Sequence, residues 1–278
     1  MYQALYRKYR PQSLDEVAGQ KVITKTITNE IMHNKLSHAY LFAGPRGTGK
    51  TSIAKIIAKI INCEHPNGIK PCEECVNCTQ FNLKQSTDII EIDAASNNGV
   101  DEIRELKSKV NLVPTTGKYK IYIIDEVHML TVGAFNALLK TLEEPPAHII
   151  FILATTDPHK IPNTILSRCQ RFDFEKISEN DIVDRLKHIV EVENIQIQED
   201  ALHEIARLSD GGMRDSISML DQVISYVDDG VTITAKEVHE MSGSLSQIQL
   251  TEFMNAFIHH DLENVFLLVD QYNQSGKN

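Results

Sequence analysis

The chain has 278 residues, room for about two domains, and its 42% hydrophobic and 24% charged residues match ordinary soluble globular proteins. A formal net charge of −10 argues against a broad basic surface for nucleic acid, so any such contact is local and shared with partners. No apolar run approaches the roughly 18–20 residues of a membrane span, and residues 1–10 lack the apolar stretch of a signal peptide, which predicts a cytoplasmic protein with no membrane contact.

In chain order, the apolar run 38–43 reads as a buried strand, and 50–61 as a helix buried on most sides through Ile53, Ala54, Ile56, Ile57, Ile60 and Ile61. Strand-like runs recur at 89–92, 121–124 and 149–153, separated by helical patterns around 99–110 and 131–143. Apolar strands alternating with helices predict an α/β domain with a parallel sheet covered on both faces, ending near residue 177. The pattern then turns helical. Ser178-Glu179-Asn180-Asp181 reads as a helix cap, and Thr234-Ala235-Lys236-Glu237 as a capping box. Residues 178–242 therefore form a small all-helical domain. Two more amphipathic helices follow Ser242-Gly243-Ser244, the second with Leu262, Val265, Phe266, Val269 and Tyr272 on one side. Two helices are too few to bury such faces, so 243–278 reads as the truncated start of a third domain.

The run Gly44-Pro45-Arg46-Gly47-Thr48-Gly49-Lys50-Thr51 lies between a predicted strand and a predicted helix. This is the spacing of a P-loop. Its glycines let backbone N–H groups approach phosphates, Lys50 reaches the β- and γ-phosphates of ATP, and the Thr51 hydroxyl meets Mg²⁺. The strand 121–124 delivers Asp125 and Glu126 at its C-terminal end, where α/β sheets bind ligands. Asp125 is expected to hold Mg²⁺, directly or through water, and Glu126 to orient the attacking water. Thr155, at the end of the next strand, is placed to meet the γ-phosphate, although Thr-Thr-Asp-Pro is equally a plain strand-to-turn signal.

Cys63, Cys72, Cys75 and Cys78 supply four thiols within sixteen residues, a set that suits a structural tetrahedral Zn²⁺. An iron–sulfur cluster or free buried thiols are the alternatives. Cys169 is too distant in sequence to join them.

The P-loop, Asp125-Glu126-Val127-His128, Thr155, Ser167-Arg168-Cys169 and Gly212-Met213-Arg214-Asp215 follow the order of AAA+ ATPases. Tyr6-Arg7-Lys8-Tyr9-Arg10-Pro11, His38-Ala39-Tyr40-Leu41-Phe42, Asp125 to Leu130, and Leu138 to Pro146 narrow the match. Together they resemble the bacterial DNA polymerase III gamma/tau family, over residues 1 to about 270. The resemblance implies an AAA+ domain over 1–177 with a zinc module at 62–79, a helical lid over 178–242, and the start of a helical collar over 243–278. It implies an ATP hydrolase within the DNA polymerase III holoenzyme, a motor that acts with other clamp-loader subunits to place a sliding clamp on primer–template DNA. In that family Thr155 matches a sensor of the γ-phosphate and Arg214 a second sensor on the lid. Arg168 matches the arginine finger that reaches a neighbour's ATP, with Arg171 a nearby competitor. Tyr6 to Pro11 would border the adenine. The helix after Asp93-Ala94-Ala95-Ser96 would face the duplex, making Arg104 and Thr164 candidate DNA contacts. Asn97-Asn98-Gly99 depart from the basic residues of some relatives there, and Arg104 equally suits a structural salt bridge.

Two other functions fit parts of the pattern. A loader subunit that binds ATP without hydrolysing it is opposed by the intact Lys50, Thr51, Asp125 and Glu126. A helicase or branch-migration motor, suggested by Asp-Glu-Val-His, lacks the further motor motifs or extra DNA-binding domains of such enzymes. With an incomplete third domain the chain is expected to be largely monomeric, with Ser275-Gly276-Lys277-Asn278 mobile or packed on a neighbour.

Overall fold

The computed structural model describes residues 3–228, 230–245 and 247–274, with the side chains of all of these except 101, 102, 104, 107, 109 and 247. The expectations for Ser275–Asn278 and for the Arg104 side chain fall outside the described residues. The chain divides into two compact units, Arg10–Ile177 and Met1–Tyr9 together with Ser178–Asn278.

Arg10–Ile177 is built on five parallel strands: β1 (Ala39–Ala43), β2 (Ile89–Asp93), β3 (Lys120–Asp125), β4 (Ile149–Thr155) and β5 (Gln170–Asp173). Their order is β2-β3-β4-β1-β5. Every residue of β1 and β4 is buried, because helices cover both faces of the sheet. Side chains alternate between two cores. Tyr40 and Phe42 pack with Ile53 and Ile57 of the helix Lys50–Asn62. Ala39 and Leu41 face the other way, toward Leu138 and Leu142 of the helix Val132–Glu143 and Ile103 of the helix Val100–Val110. The strands read from apolar runs are all present. β5 and the helix Val76–Asn82 carry no such run and are additional, as is the helix Lys21–Met32, although Ile23, Ile27 and Ile31 stand at helical spacing there. β5 is an edge strand, half of whose side chains are exposed, so it needs no apolar run.

The sequence division placed residues 1–9 with the first domain, whereas Met1–Tyr9 groups with the helical unit. The ties are polar and specific. The Leu5 N–H donates to Asp221 Oδ2 at 3.2 Å, Tyr9 Oη donates to the Glu193 carboxylate, and Arg185 donates to the Tyr9 carbonyl at 3.1 Å. In the same unit the helix Glu179–Glu193 starts at the Ser178 cap, where Ser178 Oγ accepts from the Asp181 N–H. The helix Ala235–Ser242 opens on the Thr234–Glu237 capping box. Ile182, Leu186, Leu202, Ile205, Ile217, Leu220 and Val238 form buried faces there.

The helices Gln247–Ile258 and Leu262–Gln274 share a small cluster of Ala256, Leu268 and Tyr272, with Phe253 and Val265 against it. Of the side read as apolar, Leu262, Phe266 and Val269 stay 65%, 72% and 41% exposed, as expected of a face that two helices are too few to bury. One helix against one other covers only a narrow stripe, not the wide apolar face of a packed helix. Among the described residues no helix is long and apolar enough to cross a membrane.

Candidate nucleotide site and cysteine cluster

The strand order brings the C-terminal ends of β1, β4 and β3 side by side, with Ala43 opposite Thr155 and Ile124 opposite Leu153. Ligands bind at such ends because the following loops and helix N-termini converge there. Gly44 to Gly49 leave β1 in a turn that only glycine allows at key points. A β-carbon on Gly44 (φ +147°) would lie 2.3 Å from the Phe174 carbonyl oxygen. Gly49 (φ +101°) starts the helix Lys50–Asn62 from a left-handed conformation. Thr48 Oγ1 donates to the Pro45 carbonyl at 2.8 Å and closes the loop, while Arg46 is exposed. The N-terminus of the helix Lys50–Asn62 offers free N–H groups and a positive dipole end, which favour an anion.

Lys50 is only 6% exposed, and its Nζ donates to the Gly44 and Pro45 carbonyls at 2.8 and 2.6 Å. Burial lowers its pKa, while the charges of Glu126 and Asp125 oppose that shift. Thr51 Oγ1 donates to Asp125 Oδ2 at 2.8 Å, so the hydroxyl and the carboxylate expected at one metal ion are already neighbours. Glu126 leaves β3 in a left-handed conformation, φ +47°. Its Oε2 accepts from the Thr156 N–H at 3.2 Å and from Thr156 Oγ1 at 2.9 Å. Thr155 is fully buried; its Oγ1 meets His128 Nδ1 at 3.0 Å and accepts from the Asp157 N–H at 3.0 Å. Thr156 and His128 are thus partners of the site that the sequence reading gave no role. The signal was the second threonine beside Thr155 and the histidine two residues after Glu126.

Arg168 and Thr164 meet each other. Arg168 NH1 donates to the Thr164 carbonyl at 2.5 Å and to Ser167 Oγ at 3.2 Å, and NH2 donates to Glu143 Oε1 at 2.7 Å. The Arg171 guanidinium pairs with Asp173 instead, at 2.7 Å. Arg10, of the Tyr6–Pro11 stretch, donates from Nε to Ser52 Oγ at 3.0 Å, at the start of the helix that follows the P-loop. In the helical unit, Arg214 stands in the first turn of the helix Met213–Tyr226, with its guanidinium 5.0 Å from the centre of the Tyr6 ring.

Cys63 ends the helix Lys50–Asn62, Cys75 caps the helix Val76–Asn82, and Cys78 lies one turn into it. All four sulfurs of Cys63, Cys72, Cys75 and Cys78 lie within 4.8 Å of one another. Four sulfurs bound at about 2.3 Å form a tetrahedron with edges near about 3.8 Å, so the set fits a zinc ion after small adjustment. The Cys72 N–H donates to Cys63 Sγ and the Cys75 N–H to Cys72 Sγ, each at 3.2 Å. Such donors favour thiolates, and the N–H groups of Cys75 and Glu74 bring the Cys72 thiol down to about 6. Lys59, 4% exposed, ties the segment to the preceding helix by donating to the Glu73 carboxylate and to Asn82 Oδ1 at 2.8 Å. Cys169 stands apart in the other sheet-face core.

The family model described as DNA polymerase III, delta subunit, matches residues 19–178. The model for the ATPase lid domain of the DNA polymerase III clamp loader subunit matches residues 181–229. The chain is 52% identical over 276 residues to DNA polymerase III subunit tau of Bacillus subtilis, covering 99% of this chain and 49% of that protein. It is 42% identical over 266 residues to DNA polymerase III subunit gamma of Buchnera aphidicola subsp. Baizongia pistaciae, covering 96% and 71%. The chain spans about half the length of the tau and gamma/tau relatives it matches. Among solved structures, the Thermotoga maritima RuvB Holliday junction branch migration motor superposes with a TM-score of 0.60 over 91% of this chain and 80% of that one. At 19% identity this likeness gives the AAA+ fold and nothing further.

Proposed function

Because the chain belongs to the DNA polymerase III gamma/tau family of clamp-loader subunits, we propose that it is the ATP-hydrolysing motor subunit of that loader. In this reading it works within the polymerase III holoenzyme, in the cytoplasm, with other loader subunits, and uses ATP to place a sliding clamp on primer–template DNA. The observation that carries the reading is the meeting of Lys50, Thr51, Asp125, Glu126 and Thr155 at three adjacent strand ends. The P-loop N–H groups and Lys50 hold the phosphates of ATP. Thr51 and Asp125 would hold a magnesium ion, which supplies charge neutralisation for the phosphates when bound. Glu126 orients and polarises the attacking water, and Thr155 meets the γ-phosphate. Thr156 fixes the Glu126 carboxylate through its two hydrogen bonds.

Arg168 is the finger that reaches the ATP of a neighbouring subunit. The Ser167-Arg168-Cys169 motif match favours it over its rival Arg171. Arg214 is the second sensor, on a lid over 178–242 that contains the matched segment 181–229. Residues 243–278 begin the collar. Cys63, Cys72, Cys75 and Cys78 hold a structural zinc ion in a module over 62–79. Arg104, on the helix Val100–Val110, and the exposed Thr164 are local contacts to DNA. The test is clamp loading on primed DNA by the full-length chain with its partner subunits. ATP-dependent loading that vanishes with Lys50→Ala supports the reading; loading without ATP, or strand displacement without loading, overturns it.

A further inference from the structure

We propose that Glu143 is a positioning residue for Arg168, setting the guanidinium for the neighbouring subunit's ATP. The inference rests on the reading of Arg168 as the finger. An arginine side chain on an exposed segment has many rotamers, and ordering it costs part of what its contact with phosphate gains. Here the ordering is already done. NH1 is held by the Thr164 carbonyl and Ser167 Oγ, and NH2 by Glu143 Oε1. These contacts use three of the five guanidinium N–H donors. Among the described residues no hydrogen bond engages Nε or the second hydrogen of NH2. The group is therefore oriented yet keeps two donors for a phosphate oxygen.

The location of Glu143 supports a role beyond its helix. It is the last residue of the helix Val132–Glu143, where the partial negative charge of the helix end disfavours a carboxylate. Local helix stability thus gives no reason for a glutamate there, and its ion pair with Arg168 at 2.7 Å does. Both side chains are partly exposed, 31% for Arg168 and 47% for Glu143, so the pair adds little to folding and its loss should leave the fold intact.

The experiment measures ATP hydrolysis, stimulated by clamp and primed DNA, in the assembled complex of full-length subunits. Glu143→Ala should lower kcat about fivefold with KM for ATP within about twofold, the size expected of one ion pair that acts only at the transition state. Glu143→Gln keeps the shape and an acceptor oxygen and should fall between wild type and Glu143→Ala. In an Arg168→Ala background, Glu143→Ala should change nothing further. An equal additional loss in that background, a raised KM with unchanged kcat, or faster hydrolysis by Glu143→Ala would overturn the proposal. If Arg168→Ala itself leaves hydrolysis unchanged, the finger reading fails and this inference falls with it; if only the Glu143 variants are without effect, the finger reading stands alone.

Discussion

At the scale of single residues, nucleotide binding turns on Lys50. Its ammonium is buried against two loop carbonyls and faces Asp125 and Glu126. No other side chain of the P-loop brings a positive charge into that buried position, since Arg46 is exposed. Lys50→Ala should therefore reduce ATP affinity beyond calorimetric detection, while the thermal transition of the protein stays within a few degrees. Unchanged affinity would place the nucleotide elsewhere. The P-loop was legible because its spacing fixes both backbone shape and chemistry. The partners of Glu126 and Arg168 were not. Thr156 and Glu143 reach their partners across 30 and 25 residues of sequence, through strand register and helix packing that no local pattern encodes.

At the scale of elements, two ties hold the loops beside the sheet. Asp88, 2% exposed, precedes β2 and accepts hydrogen bonds from the backbone of Thr115, Thr116 and Gly117. Burial raises its pKa, but these donors outweigh burial and hold it below its ordinary value of 3.8. A carboxyl depressed in the native state stabilises the fold fully above its unfolded value and loses that contribution as pH falls through the native value. Asp88→Asn should cost on the order of 2 kcal/mol in denaturant unfolding at neutral pH, because the donors lose a charged acceptor. The deficit relative to wild type should shrink below pH 3.8. An equal deficit at every pH would assign the loss to packing.

The second tie is the cysteine knuckle. The purified protein should carry one zinc ion per chain by elemental analysis, and Cys75→Ser should release it and lower the unfolding midpoint, since structural zinc contributes to folding free energy. A fully stable wild-type preparation without metal, or one with the absorption of an iron–sulfur cluster, would contradict this. The cysteine spacing was enough to identify the cluster. The short helix that places Cys78 was not foreseen, because its seven residues lack an apolar period.

At the scale of the whole molecule, the parallel sheet and the helical unit were readable from alternating apolar runs and capping residues. The attachment of Leu5 and Tyr9 to the helical unit was not, because it depends on tertiary hydrogen bonds to Asp221, Glu193 and Arg185. Phe257 and Phe266 are 59% and 72% exposed on the last two helices, which share only a small cluster. That cluster joins the two helices within one chain and is not an interface between copies; the 278-residue chain is expected to scatter light as a monomer at micromolar concentration. It should also hydrolyse ATP slowly by itself, because no neighbour presents Arg168. A stable pentamer of this chain would show that the two units suffice for assembly.

The proposed role of Arg168 is to complete the ATP site of a neighbouring subunit. The direct measurement is ATP hydrolysis by the assembled complex of full-length subunits, with clamp and primed DNA, in wild-type and Arg168→Ala forms, alongside ATP affinity. The expected result is affinity close to wild type and a rate lower by about 10³-fold, the lower end for an arginine finger in related NTPases. An unchanged rate, or an equal loss of ATP binding in the isolated chain, would contradict it.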